Sequence, residues 1–145
     1  MINEDLKQLR FLSAEVGRMK ERLQRLRASA GVRSPKFDGM PRGGSGPTDR
    51  VAEIAVAIAD TESELMDLEN QHEQIRAQVA AWIDKQEDLK AGVILSCRFL
   101  DQMTWEQVAN EITNCEGEAA SADSVRKYAL RHLDKETKST ARNDR

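Results

Sequence analysis

Hydrophobic residues recur along most of this chain at alternating spacings of three and four, the rhythm of helices buried along one stripe. The longest run is Val51, Ile54, Ile58, Thr61, Leu65, Leu68, His72, Ile75, Val79, Trp82, Gln86 and Leu89, and nine of these twelve are apolar. That spacing predicts one heptad helix, roughly 58 Å long at 1.5 Å per residue. Such a helix needs its stripe covered. Leu9, Leu12, Val16, Met19, Leu23, Leu26 and Ala30 repeat the same rhythm upstream. Between the two runs lies Gly31–Asp49, 19 residues with five glycines and all three prolines. A connection of that length lets the chain reverse, so residues 1–90 are expected to form a long antiparallel helical hairpin, a coiled coil. Helix two outlasts helix one, and its overhang at Ile75–Leu89 needs cover from the C-terminal part or from a second copy. A homodimer through the hairpin is therefore expected. Thr61, His72 and Gln86 interrupt the seam. They fit residues at the hairpin edge with polar ends in water, a device that fixes register, or, for His72, a pH sensor.

Three shorter patterns follow. Val93, Ile94, Cys97 and Leu100 mark the first, Trp105, Val108, Ala109 and Ile112 the second, and Val125, Tyr128, Ala129 and Leu133 the third. Thr104 with Gln107 three residues on forms a capping box, and Ser121 can cap the third helix with Asp123 at its positive end. Residues 91–137 are thus expected to be a three-helix helix-turn-helix unit, followed by a polar, frayed tail at 138–145. The fold class is all-α; β-branched residues nowhere alternate with polar ones as strands require.

Charge sharpens the picture. The net charge of -3 conceals +5 over residues 1–50, -7 over 51–90, -4 over 91–120 and +3 over 121–145. A basic first helix attracts an acidic second, and the basic C-terminal end suits a polyanion. Helical phase turns Val125, Ala129 and Leu133 inward. It leaves Ser124, Arg126, Lys127 and Arg131 as the candidate DNA contacts, arginine for guanine edges and lysine chiefly for phosphate.

Other chemistry is sparse. Cys97 and Cys115 lie 18 residues apart, and the only histidines, His72 and His132, are near neither, so no metal site is expected. The carboxylates of Glu62, Glu64, Asp67 and Glu69 occupy a solvent face, and no Ser or Cys has a recognisable His partner; neither an enzyme nor a cofactor is expected. The connector Ser34–Gly46 is not a phosphate-binding P-loop, since no Gly-Lys-Ser/Thr ends it. It reads as a structured or flexible link, or as a contact loop. No apolar run approaches the roughly 20 residues that span a bilayer, and no signal peptide is evident, so a cytoplasmic protein is expected.

The stretches Val93–Leu100, Met103–Ala109 and Ser124–Tyr128 resemble region four of bacterial sigma factors. The whole chain resembles small phage and prophage proteins that join a coiled-coil hairpin to such a helix-turn-helix. Ser34–Gly44 resembles their connector, Ser-Pro-x-x-Asp-Gly-Met-Pro-x-Gly-Gly. Related proteins include the Rin and ArpU types, regarded as regulators of phage late transcription or export. The resemblance implies a transcriptional regulator that binds double-stranded DNA in the bacterial host cytoplasm, with host RNA polymerase as a further partner. The chain departs from the usual unit at Thr113–Ala120, an acidic stretch longer than the customary turn of about four residues. Two other readings fit the same elements: a DNA-recognition subunit like a small terminase component, and a coiled-coil interaction module with a degenerate helix-turn-helix.

Overall fold

The computed structural model describes residues 2–32 and 47–144, and every described element is helical. In chain order these are α1 (Ile2–Val32), α2 (Pro47–Asp84), α3 (Leu89–Leu95), a π-helical turn (Ser96–Leu100), α4 (Trp105–Glu116) and α5 (Ala122–Asn143). The expected all-α architecture is present: α1 and α2 form a long helical hairpin, and the smaller C-terminal helices pack together. The connector Ser34–Gly46 lies outside the described residues.

The chain divides into two compact units. One comprises Phe11–Glu73; the other joins Met1–Arg10 to Gln74–Arg145. This division differs from the expected boundary at residue 90, because the start of α1 and the end of α2 belong with the C-terminal helices.

Within Phe11–Glu73, Met19, Leu23 and Leu65 form a buried seam with Val16, Ile58 and Leu68 packed against it. Two ion pairs fix the direction of the helices. Lys20 meets Glu69 at 3.4 Å and Arg27 meets Glu62 at 2.8 Å, so a step of seven along α1 matches a step of seven backwards along α2. The pairing is antiparallel. Thr61 does not lie at the edge in water. It is 2 % exposed, and its hydroxyl donates to the Ala57 carbonyl at 2.7 Å, so its polar group is satisfied inside the helix. His72 is half-buried, and its Nε2 has no hydrogen-bond partner. Gly17 lies with it, Lys20 and Glu69 along one shallow groove, and open space surrounds the position where a Gly17 Cβ would stand.

In the other unit the core is Leu6, Leu9, Val79, Ile83, Ile94, Leu95, Val108, Ala109, Ile112, Val125, Ala129 and Leu133. Val79 and Ile83 are the overhang of α2, and their cover comes from this cluster, to which α1 adds Leu6 and Leu9. The overhang therefore does not require a second copy. The α2 helix also ends earlier than the heptad run. Lys85 and Gln86 donate backbone bonds to Trp82 and Ile83, closing a turn. Asp88 then caps α3, its side chain accepting from the Ala91 amide at 3.0 Å. Gln86 and Leu89 leave the seam accordingly, and Leu89 is 82 % exposed. On α3 the buried stripe is Ala91, Ile94 and Leu95, whereas Val93, expected inside, is 40 % exposed. The new cap at Asp88 resets the helical phase by one residue.

Candidate nucleic-acid interface

Three elements hold α5 in place. The first is α3 with its π-helical turn. That turn closes with Asp101 N–H donating to the Ser96 carbonyl at 3.1 Å, and Gln102 follows with a φ of 58°. Such a φ strains a non-glycine residue, and the Arg98 side chain braces the site: its Nη1 donates to the Met103 carbonyl at 2.9 Å. The Arg98 guanidinium lies 4.7 Å from the Trp105 ring centroid. Burial, with the charge of Arg10 nearby, lowers the Arg98 pKa from its ordinary value. Burial likewise raises the Cys97 thiol, with the charges of Asp101 and Glu111 adding to it.

The second element is α4. Thr104 accepts from the Gln107 amide and the Gln107 side chain accepts from the Thr104 amide, which is the expected capping box. Val108, Ala109 and Ile112 are buried and Trp105 packs against the cluster. The helix ends at Gly117, whose φ of 74° is the left-handed conformation glycine adopts without penalty. This corrects the expected long loop. Half of Thr113–Ala120 is helical, and only Gly117–Ser121 separates α4 from α5. Thr113 anchors that loop: its hydroxyl donates to the Ala109 carbonyl and accepts from the Ala120 amide at 3.0 Å. Glu116, the last residue of α4, pairs with Lys90 at 2.7 Å.

The third element is the turn before α3. The Tyr128 hydroxyl donates to the Asp88 carboxylate at 2.7 Å, and the Lys90 ammonium sits 4.8 Å from the Tyr128 ring centroid. The hydrogen bond from Tyr128 and that from the Ala91 amide hold Asp88 below the ordinary 3.8, while the same bond raises Tyr128. One turn further along α5, His132 Nε2 and Gln86 Oε1 are 2.9 Å apart. Sequence reasoning missed these contacts because the heptad run continued across Gln86 and Leu89. The one available signal was an Asp just before the Ala91–Ile94–Leu95 stripe, a helix-start signature.

Ser121 caps α5 as expected, accepting from the Ser124 amide at 3.1 Å. Val125, Ala129 and Leu133 face the core at 2 %, 1 % and 6 % exposure. Ser124, Arg126, Lys127 and Arg131 are all exposed. Ser124, Lys127 and Arg131 share one face, spaced by three and four, while Arg126 flanks it. Two of the four are already engaged. The Ser124 hydroxyl donates to the Ser121 carbonyl at 2.9 Å, and Lys127 pairs with Asp123 at 2.8 Å. The Lys127 ion pair lowers the Asp123 pKa. Leu130 stands beside them, 47 % exposed. The expected frayed tail is helical through Asn143, with Thr137 and Thr140 hydroxyls donating to the Leu133 and Glu136 carbonyls. Lys138 and Arg142 lie near the negative C-terminal end of α5, a favourable placement.

Among the described residues no three His, Cys, Asp or Glu side chains converge as metal ligands, and no helix is long and apolar enough to cross a membrane. The chain matches no protein-family model, no curated protein and no solved structure.

Proposed function

We propose that this protein is a DNA-binding regulator of phage or prophage type, with α4, the short turn and α5 acting as a helix-turn-helix and α5 entering the major groove. One observation carries the reading: α5 buries Val125, Ala129 and Leu133 and turns Ser124, Arg126, Lys127 and Arg131 outward. A helix with that division presents cations and small polar groups to base edges and phosphates. The likeness to sigma region four adds promoter DNA held together with host RNA polymerase as the setting. Two copies joined through the hairpin would read two half-sites. Since the α2 overhang is covered within the chain, the surface offered to a second copy is the outer face of α2, where Val56 and Met66 are 60 % and 64 % exposed.

Titration of duplex fragments by fluorescence anisotropy tests the reading. Lys127→Ala with Arg131→Ala weakens binding and flattens its salt dependence, the slope falling by about 0.9 for each phosphate no longer neutralised. Equal affinity of variant and parent at every salt concentration removes both residues from the interface. A second reading, a protein-interaction module, draws on the exposed apolar pair Leu89 and Val93 of α3. Absence of any shift of duplex DNA at low salt favours it.

A further inference from the structure

The helical continuation of α5 past Leu133 places three more cations in register with the candidate contacts. Lys127, Arg131, Lys135, Lys138 and Arg142 follow at intervals of four, four, three and four, and all five are exposed. At 3.6 residues per turn they fall within an arc of about 80°. From Lys127 to Arg142 the stripe runs about 22 Å along the axis. Asp134 borders the stripe, and Glu136 lies on the opposite, half-buried side. Core burial ends at Leu133, so the last ten residues of the helix are not needed to fill the three-helix core. Their only apolar side chain is Ala141, which excludes an amphipathic membrane-binding face.

We propose that the distal half of α5 is a second binding segment, in which Lys135, Lys138 and Arg142 contact the sugar-phosphate backbone of duplex DNA beyond the bases reached by the helix start. The inference rests on the DNA-binding reading above. A straight helix of 22 residues outruns the major groove, about 12 Å wide, and must cross a backbone as it leaves. A cationic stripe on the face already turned to the groove meets that backbone with matching charge. Continuous basic helices that fork across the major groove use the same geometry. The segment carries no sequence information, because phosphates are the same at every step.

The test uses the full chain and a mixed-sequence duplex of roughly 30 base pairs, long enough to cover about three helical turns. Binding is measured from about 50 to about 300 mM NaCl, a range chosen to resolve a slope of several units. The variant Lys135→Gln/Lys138→Gln/Arg142→Gln lowers the slope of log K against log salt by about 2.7, three phosphates at about 0.9 each. Its affinity at the lowest salt falls by on the order of a hundredfold, and the deficit shrinks as salt rises. The control Arg18→Gln/Arg22→Gln/Arg25→Gln on α1 makes the same change in net charge and leaves the slope unaltered. Circular dichroism of each variant checks that α5 remains helical. An unchanged slope for the α5 variant, with the parent protein still binding, overturns the inference and leaves the DNA-binding reading standing. So does an equal fall in both variants, which reports net charge alone. A parent protein that ignores the duplex but binds phosphatidylserine vesicles overturns both.

Discussion

At the residue scale, the Asp88–Tyr128 contact is the most informative pair. It joins the first turn of α3 to the middle of α5 by a charge-assisted bond of 2.7 Å. Tyr128→Phe is expected to cost about 1.5 kcal/mol at pH 7, since a hydrogen bond to a carboxylate goes while the ring packing stays. The pH dependence follows from the sign of the shift. Asp88 is held below 3.8 in the folded chain, so its contribution is present above that value and is lost as pH falls through the lower, folded pKa. Urea unfolding of parent and Tyr128→Phe should therefore give midpoints that differ at pH 7 and converge below roughly pH 3.8. A constant gap across that range would show that Asp88 is not the acceptor that matters.

At the element scale, caps and open space decide what substitutions do. Thr104→Ala removes one half of the capping box on α4 and should cost about 1 kcal/mol, read as a lowered urea midpoint. Gly17 sits within α1, and a Cβ there meets nothing within 4 Å. Gly17→Ala should raise stability by about 1 kcal/mol, through helix propensity and a less flexible unfolded chain. Much of this level was legible in the sequence. The seams of α1 and α2 and the inward face of α5 follow from periodicity, because each helix buries one stripe, and the capping box follows from Thr104 and Gln107 standing three residues apart. Three things were not. The end of α2 at Asp84 is set by a cap at Asp88 that binds Tyr128 forty residues away, a tertiary choice. The π-helical turn at Ser96–Leu100 depends on Arg98 reaching Met103 and Trp105. The helicity of residues 138–143 lacks an apolar stripe altogether, and what favours it is local: Lys138 and Arg142 lie near the negative end of the helix. Without that stripe, periodicity alone ends the candidate site at Arg131.

At the scale of the whole molecule, charge and association set the expectations. The acidic excess lies on α2, where Lys20 and Arg27 neutralise only Glu69 and Glu62 across the hairpin. On the proposed DNA-binding reading, this charge division predicts that association with a duplex is faster at low salt, checked by stopped-flow fluorescence across a salt series. If the outer face of α2 joins two copies, Val56→Glu with Met66→Glu should convert a dimer into a monomer in sedimentation equilibrium at micromolar concentration. A monomeric parent would remove the dimer, and a ring-sized mass would favour the packaging type of DNA-recognition subunit.

Leu6 and Leu9, at 2 % and 0 % exposed, complete the same buried cluster as Val125, Ala129 and Leu133. The ribosome makes those two leucines long before the residues that enclose them. At about 5–20 residues per second, they wait roughly 6 to 25 s for Leu133 to be added. Until then their cover is incomplete. The unit proposed to read DNA is thus sealed by leucines made well before the helices they cover, and a fragment starting at residue 91 would be born without its stopper.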